Sequence, residues 1–223
     1  MKSELAHVAC AGLLFFFLAS CERGVPGAND ADVVINGYRI EGQVLDGFLR
    51  PLVGVRVILY YGLAFASGDS VSRAYSPTVQ GEYVTVEVKN AAGQAVRVLF
   101  AGPAPQDSMF YVPWDGRDDG GAIVRSGMYA VTYTVTGTVK KSYRQIVDGN
   151  QNDTTNVEGR FVIPEADLPI GEIAPYYDST DEFVGEFEIT DQVYLRFVDQ
   201  TFARTYRVAP VKNRVTKFSV VIN

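Results

Sequence analysis

Alternation with a period of two residues, interrupted by short glycine-containing turns, most restricts the folds open to this chain. Val84, Val86 and Val88 alternate with Thr85, Glu87 and Lys89. Tyr129, Val131, Tyr133 and Val135 alternate with Ala130, Thr132, Thr134 and Thr136, and Phe218, Val220 and Ile222 line one side of a last segment. Successive side chains of a strand point to opposite faces, so each pattern predicts a strand with one buried face. Asp46-Gly47, Asn90-Ala91-Ala92-Gly93, Asp119-Gly120-Gly121, Asp148-Gly149-Asn150 and Glu158-Gly159 mark turns between such runs. Further strands are expected at Phe183–Ile189, Val193–Val198, Thr205–Val208 and Thr216–Ile222. No helical period lasts beyond a couple of turns after the N-terminal segment, and the 13 Tyr, 13 Phe and 21 Gly favour strands and turns. The expectation is an all-β chain built of immunoglobulin-like β-sandwiches.

The N-terminal segment has a different logic. Lys2 gives a weakly basic start, Val8–Leu18 is mostly apolar, and Leu18-Ala19-Ser20-Cys21 closes the run with small residues before a cysteine. This is the layout of a secretory signal, too short for a stable membrane span, and it reads as a bacterial lipobox. The expected cleavage lies between Ser20 and Cys21. Cys21 then carries covalent diacylglycerol and an acyl chain such as palmitate, each buried methylene contributing about 0.8 kcal/mol to anchoring. A plain secretory peptide with Cys21 incidental is the alternative. Residues 1–20 are thus assigned to a lipoprotein signal peptide and residues 21–32, rich in Gly and polar residues, to a tether.

Cleavage there would limit the chemistry. The single histidine, His7, and Cys10 leave with the peptide, and Cys21 is capped by lipid. Cys–His and Ser–His catalysis and the common zinc sites are then excluded. Lys2 and Glu4 leave together, so the net charge of −6 persists. An acidic chain without a basic cluster lacks the cationic footprint that nucleic acid requires.

Two stretches carry family resemblances. Val84-Thr85-Val86-Glu87-Val88, Asn90-Ala91-Ala92-Gly93-Gln94, Val96-Arg97-Val98-Leu99, Trp114-Asp115-Gly116-Arg117-Asp118-Asp119-Gly120 and Ser126-Gly127-Met128-Tyr129 follow one another in order. From Glu82 to Val147 the chain so resembles the immunoglobulin-like domain of FlgD, the flagellar hook-capping protein. The resemblance implies structural roles. Trp114 at the end of a strand caps the sandwich core, Asp115-Gly116 and Asp119-Gly120 form turns with glycine at positive φ, Asp118 is likewise a turn former, and Ser126-Gly127 kinks the chain into the strand starting at Tyr129. It implies a fold and a displayed or spacing domain, not a reaction. Hook-capping proteins carry an assembly region before this domain, so no flagellar role is assigned.

Ile40-Glu41-Gly42-Gln43-Val44-Leu45-Asp46 and Pro51-Leu52-Val53-Gly54-Val55-Arg56-Val57 resemble the opening of a carboxypeptidase-regulatory-like (transthyretin-type) domain. That family continues with a threonine-rich turn, glycine and an aromatic strand. The nearest match, Thr154 to Ile163, follows the FlgD-like stretch instead of preceding it. An insertion is therefore expected: residues 33–61 plus 152–223 form an outer sandwich, and residues 62–151 form an inner FlgD-like one. Tandem β domains are the alternative.

The loops offer weak candidate sites. Asp148, Asn150 and Asn152 resemble the front of a calcium loop, but the twelfth position that should be glutamate is Gly159, with Glu158 one residue out of register. No metal is assigned. Asp178, Asp181, Glu182, Glu186 and Glu188 offer carboxylates for a cation or for glycoside hydrolysis, and Tyr60, Tyr61, Tyr75, Tyr176 and Tyr177 offer rings for sugar stacking. Solvated turns and packed rings account for both sets more simply. The expected function is a lipid-anchored cell-envelope protein without catalytic residues or cofactor, sitting more readily on the outer than the inner membrane. It would scaffold or bind another envelope protein. The alternative is a glycan- or peptidoglycan-binding module, or a carboxylate-dependent glycoside hydrolase.

Overall fold

A computed structural model describes residues 35–70, 72–79, 81–105, 109–178 and 180–223. The segment read as a lipobox, including Ser20 and Cys21, lies outside the described residues. The described chain is all-β. Its strands are β1 (Tyr38–Asp46), β2 (Arg56–Ser67), β3 (Tyr83–Lys89), β4 (Ala95–Pro103), β5 (Gly127–Val135), β6 (Thr138–Val147), β7 (Asn150–Thr154), β8 (Arg160–Ile163), β9 (Ile173–Tyr177), β10 (Phe183–Val198), β11 (Ala203–Val208) and β12 (Arg214–Ile222). A single 3-10 turn, Glu165–Asp167, interrupts them.

Three sheets result. The first has the order β12-β1-β8, with β12 parallel to β1. The second runs β11-β10-β2-β7, with β9 also on β10. These two pack face to face over a mainly aliphatic core: Ile40, Val44, Phe161, Ile163, Val220 and Ile222 from one, and Val57, Leu59, Ile189, Val193, Leu195 and Phe197 from the other. Gly42 is required within the first sheet, because a Cβ there would strike the carbonyl of its β12 neighbour Phe218 and the ring of its β8 neighbour Phe161.

The third sheet, β4-β3-β5-β6, is built differently. Val84, Val86 and Val88 of β3 and Tyr129, Val131 and Tyr133 of β5 face a second core. What covers it is loop rather than sheet. Tyr75, Ala104, Phe110 and Trp114 close that core, and the Tyr75–Phe110 pair forms only an isolated bridge. Met128 and Ile146 turn the other way and join the first core, which ties the sheets together.

Three local expectations need correction. The segments Phe183–Ile189 and Val193–Val198 form one sixteen-residue strand, bent by a bulge between Ile189 and Val193 where the pairing with β2 shifts. In the second turn of the Trp-Asp-Gly segment, the left-handed residue is Gly121 (φ 80°), not Gly120; Gly116 (φ 73°) behaves as expected. Gly127 does not kink the chain ahead of a strand. It is the buried first residue of β5, paired with Val147.

Candidate functional site

The chain leaves the second sheet after β2 and returns through β7, so the third sheet and its loops meet the first two sheets at a junction. Ser126 lies at its centre, fully buried. Its Oγ donates to the Leu59 carbonyl (2.8 Å) and accepts from the Asn150 amide (2.8 Å). Asn152, 1% exposed, donates through Nδ2 to the Ser126 carbonyl and to Asp167 Oδ2, each at 2.9 Å. Its Oδ1 accepts from the Ser126 amide at 3.2 Å. One asparagine side chain thus satisfies both backbone groups of a buried serine, groups that would otherwise be costly to bury.

The other two loop candidates have comparable tasks. Asp148 Oδ1 accepts from the Tyr61 amide (2.9 Å), and Asn150 Nδ2 donates to the Val124 carbonyl (2.9 Å). Asp148, Asn150 and Asn152 therefore join segments 59–61 and 124–126 to the returning strand. Burial pushes the Asp148 carboxyl above its ordinary range, against the opposing pull of the Tyr61 and Gly149 amides. Burial likewise raises Asp167, although Asn152 and Arg125 favour its charged form. Among the described residues there is no group of three or more His, Cys, Asp or Glu placed to hold a metal ion.

A second contact ties the regions at the surface. The Arg73 guanidinium lies 3.6 Å from the Tyr177 ring centroid and 4.5 Å from that of Tyr111. Its Nη1 reaches Asp181 Oδ1 at 2.6 Å, and Tyr111 Oη donates to Asp181 Oδ2 at 2.9 Å. Burial raises the Asp181 pKa, but hydrogen bonds from Arg73 and Tyr111 and the Arg73 charge outweigh it, so the net shift is downward. Arg144 and Glu172 pair across the same boundary.

Between these contacts lies a groove of about 620 Å³, walled by Trp114-Asp115-Gly116-Arg117, by Gln145 to Val147 of β6, and by Tyr177, Asp178 and Asp181. Trp114 lines it and is almost wholly buried. The indole Nε1 donates to the Arg117 carbonyl (2.7 Å), and the ring lies 4.9 Å from that of Tyr129. Asp115 pairs with Arg97 (2.7 Å) and accepts from the Arg117 amide. Asp118 Oδ1 accepts from the Ala122 amide at 2.8 Å. Asp178 accepts from the Thr180 and Glu182 amides and from the Thr180 hydroxyl, hydrogen bonds that hold its carboxyl below the usual range. Of the groove carboxylates, Asp115 and Asp181 are each paired with an arginine, and Asp178 is held by amide and hydroxyl donors.

The remaining sequence candidates are scattered. Tyr61 and Tyr75 are core residues whose hydroxyls bind the Asp167 carbonyl and Glu82. Tyr176 packs edge-on against Phe187, and Tyr177 is covered by Arg73. Glu186 and Glu188 lie along β10, apart from the turn that holds Asp178 and Asp181. Sequence reasoning missed Arg73, Tyr111 and Asp167. Arg73 and Asp181 are 108 positions apart and no local pattern links them.

The model of the FlgD Ig-like domain family matches residues 62–138, from within β2 to the first residue of β6. No curated protein and no solved structure matches the chain. The matched span includes the Trp114 turn, the buried Ser126 and three strands of the third sheet, and residues 62–138 are accordingly similar to the FlgD Ig-like domain.

Proposed function

We propose that this is a lipid-anchored protein of the bacterial cell envelope, held by diacylglycerol and acyl chains on Cys21, which presents non-catalytic β-sandwich units to another envelope protein. The observation that carries the reading is the Leu18-Ala19-Ser20-Cys21 segment closing an apolar run. The outer membrane is the favoured location. The outer unit is read as carboxypeptidase-regulatory-like, with the FlgD-like unit inserted between β2 and β7. The separate cores of the first two sheets and of the third support that division.

The engagement of the motif side chains supports a structural over a chemical role. Trp114, Asp115, Asp118 and Tyr129 are used in turns and core contacts. A glycosidase acid needs a raised pKa in an open cleft. Here the groove carboxylates Asp178 and Asp181 are shifted downward, and the raised Asp148 and Asp167 are bound within the junction.

The test is metabolic labelling with an alkyne-bearing palmitate, comparing the parent chain with Cys21→Ala, followed by cross-linking in intact cells and mass spectrometry. The expected result is label and a reproducible envelope-protein cross-link in the parent, both lost in the variant. Equal labelling of the two chains would overturn the anchor. Saturable binding to a polysaccharide panel with no protein cross-link would replace the scaffold role with a glycan role.

A further inference from the structure

The end of the first two sheets that lies away from the junction exposes apolar side chains. β1 ends at Asp46, β2 starts at Arg56, and β7 and β8 are joined through 155–159, so turns 47–54 and 155–159 share that end. They are bonded to the same strands and to each other. The Val44 amide donates to the Gly159 carbonyl and the Gly54 amide to the Thr155 carbonyl, each at 2.9 Å, and Thr155 Oγ1 donates to the Leu52 carbonyl at 2.7 Å. On these turns Phe48 is 82%, Leu49 67%, Val53 58% and Val157 80% exposed.

The display is built rather than incidental. Asp46 Oδ1 accepts from the Phe48 and Arg50 amides at 2.9 Å, and Asp46 Oδ2 accepts from Arg50 Nε at 2.8 Å. This turn holds Leu49 at φ 62°, a left-handed conformation that a bulky side chain rarely adopts. The flanking charges are paired, Asp46 with Arg50 and Glu158 with Arg160. Single exposed apolar residues are ordinary, but four on two bonded turns at one end form an adhesive tip.

We propose that this tip inserts into the interfacial layer of a phospholipid bilayer, with Phe48, Leu49, Val53 and Val157 as the inserting side chains. The inference rests on the lipid-anchor reading for its choice of occupant. The chain from Cys21 to Ile35 can extend at most about 46–50 Å, whereas β1, from Tyr38 to the tip, spans about 30 Å. The tether is long enough to run back along the sandwich and place the tip in the leaflet that holds the lipid. Anchoring keeps the tip at high local concentration, so a weak insertion suffices. Because the neighbouring charges are paired, the contact is apolar: zwitterionic lipid supports it and salt does not weaken it. The FlgD-like region, at the other end of β2, then faces away from the bilayer.

The test uses the lipidated mature chain carrying Phe48→Trp, reconstituted into phosphatidylcholine vesicles with or without brominated acyl chains. The native Trp114, buried in the other region, supplies the baseline in the parent chain. The expected result is a blue-shifted, bromine-quenched emission from the F48W indole, unchanged in high salt and mostly lost when Leu49→Ser and Val157→Ser are added. Flotation with vesicles but quenching no greater than in the parent overturns the tip while leaving the anchor intact. If the chain takes up no lipid, the unlipidated F48W chain is titrated with excess vesicles. Quenching there supports the tip and removes the anchor, and its absence overturns the tip as well.

Discussion

The first two sheets and the third solve the same burial problem by different means. In the first case both layers are hydrogen-bonded sheets, and the space between them is filled by branched aliphatic residues around Phe161 and Phe197, whose rings meet at 5.3 Å. In the second, one sheet is closed by loops, and the core is rich in rings: Tyr75, Phe110, Trp114, Tyr129, Tyr133 and Tyr143. A loop has no ladder to fix its height above a sheet. Large rings and side-chain bonds to the backbone take over that task, as with Trp114 on the Arg117 carbonyl and Tyr129 on the Arg125 carbonyl. A loop-covered core therefore concentrates its stability in a few side chains, while a sheet-covered core distributes it.

The largest effects should separate the two regions. Trp114→Ala removes the ring that closes the second core and is expected to cost about 3–5 kcal/mol. Hydrogen exchange should show protection lost in β3–β6 and retained in β1, β2 and β10. Phe197→Ala carries a similar cost of about 3–5 kcal/mol. It should remove protection everywhere, because the third sheet enters and leaves through β2 and β7. Identical exchange patterns for the two variants would show one cooperative unit and dissolve the distinction.

A smaller effect is expected at the junction. Asn152→Ala leaves the Ser126 amide and carbonyl and the Asp167 carboxyl without the partner they share, a loss of about 1–3 kcal/mol. If the two regions are coupled through this side chain, the variant should also split a single thermal transition into two, readable by calorimetry. A transition that shifts without splitting would place the coupling elsewhere, in Met128 and Ile146 or in the Arg73–Asp181 contact.

Much of this contrast was legible in the residues. Val84, Val86 and Val88 point into a core as their alternation requires, and Trp114 sits under its turn. Strand β9 was not legible, because Pro175 argues against a strand. It is tolerated here because β9 pairs only with β10, leaving one edge of the strand with no ladder to satisfy. The bulge in β10 hid a continuous strand behind Thr190-Asp191-Gln192, and the left-handed position moved one residue because Asp118 closes its turn on Gly121 and Ala122. The junction was illegible for a different reason. Ser126, Asn152 and Asp167 acquire their roles from contacts across the chain, and in isolation a Ser-Gly and an Asn/Asp run look like ordinary turns.

Asp167 gives the smallest and most discriminating prediction. Burial raises its folded pKa above the unfolded value, so between those two values the native state binds more protons than the unfolded one. Stability from this group is complete below the unfolded pKa of about 3.9 and is lost as pH rises through the folded value. Asp181 and Glu41 run the other way. Burial raises both, but Arg73 and Tyr111 for Asp181, and Arg39 and Lys217 for Glu41, bring the net shift down, so their contribution is lost as pH falls. The overall profile mixes these signs, but the difference between Asp167→Asn and the parent isolates one. An asparagine carbonyl still accepts from Asn152 without carrying charge. The variant should match the parent near pH 4 and gain a small stability by pH 7, measured by urea unfolding at each pH. A gain that is the same at both pH values would mean that folding does not shift the Asp167 carboxyl, its pairing with Arg125 offsetting its burial.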